Sequence, residues 1–150
     1  MHGDLTLHCL PARQFSGRVR LGRDRSLWAS WAITGKRQRG AIYFAGDTGY
    51  GPHFQTIRQT IGAIDLAIMP ICAYLPRWFM EAGHVDPALA GQAFLDLEAR
   101  TMLPIHWGTF DLADEALHEP PQELQRVLHS RGLDPARCPV LPVGGSLRRT

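Results

Sequence analysis

The sequence predicts an α/β (α+β layered) fold, a sheet covered by helices. Short apolar runs bounded by turn residues recur along the chain and read as buried strands, and helical patterns alternate with the later runs. The first helical pattern also carries one apolar face, which suits packing on a sheet. At 150 residues, with 45% hydrophobic and 20% charged positions, the chain can bury one core.

The strands expected from these runs are Leu5 to Leu10, Leu27 to Ile33, Ala41 to Ala45, Leu66 to Met69, Met102 to Ile105 and Val140 to Val143. A first helix, about His53 to Ile61, sets Phe54, Ile57 and Ile61 on one face and stops at Gly62. A second begins with Asp86 as N-cap and Pro87 at its first position, then places Leu89, Ala93 and Leu97 beside Ala90 and Phe94. A third starts around Pro120-Pro121, carries Leu124, Val127 and Leu128 on one face, and ends at Gly132. Repeats, low-complexity segments and a long linker are absent, so residues 1–150 read as a single unit.

The formal charge is +2, from arginines scattered without the clustering of a phosphate-binding stripe, which argues against a nucleic-acid partner. Cys9, Cys72 and Cys138 are odd in number and far apart, so neither a disulfide framework nor a thiolate zinc site is indicated, and a cytoplasmic setting is expected. The N-terminus does not read as a secretory signal, and the longest apolar stretch, Leu66 to Leu75, is about half of a membrane span and contains Pro70. Peripheral membrane contact stays open, since it depends on surface patches.

Three segments can carry chemistry. In Phe44-Ala45-Gly46-Asp47-Thr48-Gly49-Tyr50, an apolar strand runs into a carboxylate flanked by glycines that admit a ligand close to the chain. The alternative for Asp47 is a turn that hydrogen-bonds its own backbone. Leu103-Pro104-Ile105-His106-Trp107-Gly108-Thr109 again delivers a titratable side chain at a strand end, although a lone histidine is more often structural. Imidazole and carboxylate together are what zinc takes when cysteine is not used, and in adjacent strands both side chains would reach one sheet edge. The third segment, Ala73-Tyr74-Leu75-Pro76-Arg77-Trp78-Phe79-Met80 followed by Gly83-His84-Val85-Asp86-Pro87, is rich in aromatics for a loop. It can line a substrate pocket, with His84 donating to an anion or orienting a metal ligand, or it can fold over its own core. Arg77 can pair with a phosphate or with a nearby acid. The remaining histidines, His2, His8, His53, His118 and His129, show no ligand spacing.

Four blocks in this order, Phe44-Ala45-Gly46-Asp47-Thr48-Gly49-Tyr50, Ala73-Tyr74-Leu75-Pro76-Arg77-Trp78-Phe79-Met80, His84-Val85-Asp86-Pro87 and Ile105-His106-Trp107-Gly108-Thr109-Phe110, resemble N-acyl-phosphatidylethanolamine-hydrolysing phospholipase D and its bacterial relatives, and the likeness includes Ser26-Leu27-Trp28-Ala29-Ser30-Trp31. The likeness runs from about Leu5 to Leu133 and covers the C-terminal part of such an enzyme. It implies the C-terminal half of a metallo-β-lactamase αββα sandwich, with a two-zinc site at the sheet edges and hydrolysis of a phospholipid-like phosphodiester. By motif match, Asp47 would bridge the two metals and His106 would be a ligand of the second. His84 would act beside them as an accessory catalytic residue, and Tyr74, Arg77, Trp78 and Phe79 would shape substrate binding. Two departures from the family pattern stand out: its His-x-His-x-Asp-His motif occurs nowhere in this sequence, and Gln14 stands where another ligand histidine is expected. An amide is a poor zinc ligand beside imidazole.

The leading expectation is therefore a fragment or truncated homologue of a zinc phosphodiesterase, inactive alone, because Asp47 and His106 fall short of the three protein ligands usual for a catalytic zinc. Half a sandwich would leave one sheet face unpartnered, which predicts self-association or poor solubility. A second expectation is a non-catalytic module that complements a separate N-terminal half. A remote third takes Asp47-Thr48-Gly49 as the turn of a dimeric aspartic protease, a fold that is almost wholly β.

Overall fold

In the computed structural model, which describes residues 3–17 and 24–148, five strands form one sheet in sequential order. They are β1 (Leu5–Leu10), β2 (Ser30–Gly35), β3 (Ala41–Phe44), β4 (Ile64–Pro70) and β5 (Thr101–Ile105). The pairs β1/β2 and β2/β3 are antiparallel, whereas β3, β4 and β5 run parallel. Parallel neighbours require crossovers. Helix α1 (His53–Ile61) links β3 to β4, α2 (Arg77–Met80) and α3 (Pro87–Asp96) link β4 to β5, and α4 (Glu119–Ser130) follows β5. All three parallel strands consequently end at the same edge.

Side chains alternate across a strand, so the register separates two faces. Ala32, Tyr43, Ala67 and Met102 lie in one row across β2 to β5, each fully buried, and join Phe54 and Ile57 of α1, Phe94 of α3 and Leu124 and Leu128 of α4 in a single core. The adjacent row, Cys9, Trp31, Phe44, Ile68 and Leu103, lies on the opposite face. That face is apolar and open: Leu7 is 60% exposed, Trp31 38% and Phe44 42%. One helical layer on one sheet is half of a four-layer sandwich.

Local sequence explains the helices. The Asp86 side chain accepts from the Leu89 N–H at 2.6 Å, with Pro87 at the first helical position, and α3 packs on α1, α4 and β4 through Ala90, Gly91, Ala93 and Phe94. Helix α1 buries Phe54 and Ile57 on the sheet and ends at Gly62 in the left-handed region.

The structure departs from the sequence reading at four places. Strand β2 starts at Ser30 instead of Leu27, whose side chain is fully exposed. Strand β4 is longer than expected and takes in Ile64 and Pro70. Val140 to Val143 forms no strand, because this stretch runs into a turn with Val143 92% exposed and nothing for it to pair with. Finally, the aromatic loop contains the one-turn helix α2, and Pro135–Arg137 forms a 3-10 turn capped by Asp134.

Candidate functional site

The site forms where β3, β4 and β5 end, the usual ligand edge of an open α/β sheet. Each strand runs out into a residue with left-handed backbone: Gly46 (φ 66°) after β3, Ala73 (φ 65°) after β4 and His106 (φ 63°) directly after β5. For alanine and histidine this conformation is strained, and such residues cluster where a side chain or loop must be aimed. Asp47 and His106 do not sit on adjacent strands as expected, because β4 lies between β3 and β5. They share the edge nonetheless, since all three strands are parallel.

His84 closes the distance between them. Its ring centroid lies 6.1 Å from that of His106, and its Nδ1 lies 3.0 Å from Asp47 Oδ1. The contact is close but poorly directed, so Nδ1 is buried without a hydrogen bond. The segment that carries His84 is pressed onto the β3 exit. A Cβ on Gly49 would fall 2.6 Å from the Ala82 carbonyl oxygen, so only glycine admits this approach. Gln14 supports the same segment by donating from Nε2 to the Gly83 carbonyl at 3.3 Å, while its Oε1 accepts from the Phe15 N–H. Thr48 is fully buried, accepts from the Arg13 N–H at 2.9 Å and donates to the Gly49 carbonyl. His53 stacks on Phe54 with ring centroids 4.1 Å apart, and burial followed by the nearby Arg13 charge lowers its pKa from the ordinary 6.5.

The aromatic loop divides into two roles. Tyr74 is buried, and its hydroxyl donates to Glu119 at 2.8 Å; burial first and then this carboxylate push the phenol's pKa upward. Trp78 and Phe79 are instead 80% and 67% exposed on α2 and meet edge to face at 5.7 Å. Arg77 forms an ion pair with Asp86, the α3 cap, so its nearest partner is an acid of the fold.

Glu115 went unnoticed in the sequence, where nothing distinguishes it from the neighbouring surface acids. It is 5% exposed and accepts from the Tyr74 and Leu75 N–H groups at 2.9 Å each and from the Cys72 thiol at 3.4 Å. Burial alone would raise its carboxyl, but the backbone N–H donors outweigh it and hold the pKa below the ordinary carboxylate value. Glu115 thereby ties the β5–α4 loop to the β4–α2 loop.

One carboxylate and two imidazoles at a sheet edge are donors that suit zinc. The set is incomplete, because among the described residues no group of three or more His, Cys, Asp or Glu side chains is disposed to hold a metal ion. The chain's own residues thus fit a metal centre in part and do not complete one.

Comparison with known proteins places this arrangement in context. A family profile described as a β-lactamase superfamily domain matches residues 1–107. An uncharacterized protein of Mycobacterium tuberculosis is 44% identical over 124 residues, covering 81% of this chain and 32% of that protein. N-acyl-phosphatidylethanolamine-hydrolyzing phospholipase D 1 of Caenorhabditis elegans is 36% identical over 129 residues, covering 85% of this chain and 36% of that protein. Outer membrane protein RomA of Klebsiella pneumoniae is 47% identical over 104 residues, covering 69% of this chain and 75% of that protein. The chain spans about a third of the mycobacterial and nematode relatives. Among solved structures, a metallo hydrolase of Ignicoccus hospitalis superposes with a TM-score of 0.69 at 23% identity, covering 97% of this chain and 52% of that one. An isothiocyanate hydrolase from Delia radicum gut bacteria gives 0.70 at 14% identity, covering 97% of this chain and 54% of that one, a likeness of fold.

Proposed function

This chain belongs to the metallo-β-lactamase superfamily of hydrolases, and on that footing we propose that it is the part of a zinc-dependent phosphodiesterase that supplies Asp47 and His106 to a two-zinc centre. The observation that carries the reading is the convergence of Asp47, His84 and His106 at the end of the parallel strands. Zinc bound there would supply an activated water and stabilise charge on a phosphoryl oxygen. Asp47 and His106 would hold the zinc, and His84, whose Nδ1 lies 3.0 Å from Asp47 Oδ1, would act beside them as an accessory residue. Gln14 contributes by fixing the His84 segment through Gly83, a supporting role in place of a ligand's. The substrate is a phospholipid-like phosphodiester, a reading supported by the nematode relative's name and the four matching sequence blocks. The exposed Trp78 and Phe79 suit such a substrate or the membrane surface that holds it. Among the described residues no helix is long and apolar enough to cross a membrane, and the reading puts the protein in the cytoplasm, peripheral to the bilayer.

On this reading Asp47 and His106 do not complete a zinc centre by themselves, and residues 1–150 alone would not turn over the substrate. The open face of Leu7, Trp31 and Phe44 favours a second reading in which the chain is a non-catalytic module that docks on a separate N-terminal half. An aspartic protease lacks the fold it needs here, since three of the five strands are parallel and helices cover the sheet.

Zinc titration of the purified chain separates these readings. Weak binding that falls at least tenfold in Asp47→Ala and in His106→Ala is expected. Tight, stoichiometric zinc that survives both substitutions would remove these residues from the centre, and no zinc binding at any concentration would leave the docking module.

A further inference from the structure

At the edge of the sheet opposite the candidate site, where β3, β4 and β5 begin, two backbone hydrogen bonds clamp the strand starts together. The Ala41 N–H donates to the Ala63 carbonyl at 2.8 Å, and the Arg100 N–H donates to the Ile64 carbonyl at 3.0 Å. Gly40 permits the first approach, since a Cβ there would fall 2.9 Å from the Ala63 carbonyl oxygen. Glu98, held in the left-handed region at φ 48°, turns the chain from α3 back toward β5. Between these segments lies a cavity of about 340 Å³ lined by Arg39, Arg58 and Arg100 together with Asp65 and Glu98. A smaller one of about 180 Å³ shares Asp65 and Arg100 with it and adds Arg148. Arginines far apart in the sequence thus converge on one groove.

The charges in this groove do not cancel. Among the described residues, its walls set four arginines against two carboxylates, an excess of two positive charges. Glu98 receives Nε and Nη2 of Arg58 on a single oxygen, at 3.0 and 2.8 Å, while its own side chain is 67% exposed. Arg100 reaches Asp65 through Nη1 at 3.4 Å, a long contact that leaves the guanidinium with donors for a ligand. A phosphate group takes two such donors at once from one arginine. We propose that this groove binds a small soluble molecule bearing a phosphate dianion, held by Arg39 and Arg100, with Glu98 competing for Arg58. The exposed Trp78 and Phe79 follow β4 at the other edge of the sheet, so the groove lies away from the surface that suits a bilayer. The site is separate from Asp47, His84 and His106 and requires neither zinc nor turnover.

The full chain, stripped of metal and dialysed free of chelator, is titrated with inorganic phosphate in a calorimeter at constant ionic strength and about pH 8, where the probe is a dianion. Saturable one-to-one binding is expected. Arg39→Gln and Arg100→Gln should each weaken it at least about tenfold. Glu98→Gln, which removes the competing carboxylate, should tighten it about threefold. Arg126→Gln, which alters an arginine of α4 paired with Glu123 outside the groove, should leave it unchanged. Should Arg100→Gln lose its circular dichroism signal, Arg39→Gln and Glu98→Gln, both at exposed positions, carry the test by their opposite signs. The lipid source of the same chemistry is tested by sedimenting the chain with phosphatidylcholine vesicles that contain phosphatidic acid. Binding to those vesicles without binding of free phosphate would overturn the proposal. So would the absence of saturable binding, an Arg39→Gln variant that binds as wild type does, or equal weakening by Arg126→Gln, the mark of general surface charge. Because no metal is present, a failure here leaves the zinc reading of Asp47 and His106 untouched.

Discussion

Replacing Glu115 by glutamine tests whether the two loops around the site are held by one buried carboxylate. The variant is nearly isosteric, so the side chain still fills its space, but only one of its two terminal atoms accepts a hydrogen bond. Of the two 2.9 Å bonds from Tyr74 and Leu75, one becomes a neutral bond and the other faces an NH2 group. Weakening a charge-assisted bond costs about 1 kcal/mol, and leaving a buried N–H unsatisfied costs about 1–3 kcal/mol, for a total of roughly 2–4 kcal/mol. With a urea slope of about 2 kcal/mol/M, the unfolding midpoint should fall by about 1–2 M. The pH dependence supplies a second signature. The folded-state pKa of Glu115 lies below its ordinary 4.5, so its stabilisation is complete above that value and is lost as pH falls through the lower, folded-state one. The gap between wild type and Glu115→Gln should therefore be widest near neutrality and narrow in acid. A midpoint shift below about 0.3 M at pH 7, or a gap that does not shrink in acid, would refute the loop-tie argument.

Two further outcomes follow from the geometry. His53 has a folded-state pKa below 6.5, so as pH drops through 6.5 the unfolded chain takes up a proton first and stability declines until the folded-state pKa is passed. Thermal unfolding from pH 7.5 to 5 should show this decline, and His53→Gln should remove it. The double substitution Leu7→Lys, Phe44→Lys on the open face should shift the chain from associated species toward monomer in sedimentation velocity, with helix content unchanged; association that persists undiminished would mean this face is not the sticky surface.

The sequence by itself determined most of the elements and placed Asp47 and His106 just beyond strand ends. Period-2 and period-3.6 apolar patterns are local, and so are the cap at Asp86 and the stop at Gly62; β1, α1 and α3 accordingly lie where the pattern puts them. Asp47 and His106 were legible because each follows an apolar run at a turn, and such runs end as strands at a sheet edge. Tertiary structure decided the rest. Strand order placed β4 between the two, and only the close approach of Gly49 to Ala82 brought His84 to Asp47. Val140 to Val143 has a strand's composition, but no neighbouring strand pairs with it, and a strand exists only through its pairing. Glu115 reads as one acid among several, because its role comes from donors about 40 residues away along the chain, which no local pattern encodes. The open face reads as an ordinary buried-strand pattern in sequence, since an apolar strand residue carries no mark of whether the layer that covers it belongs to the same segment of chain.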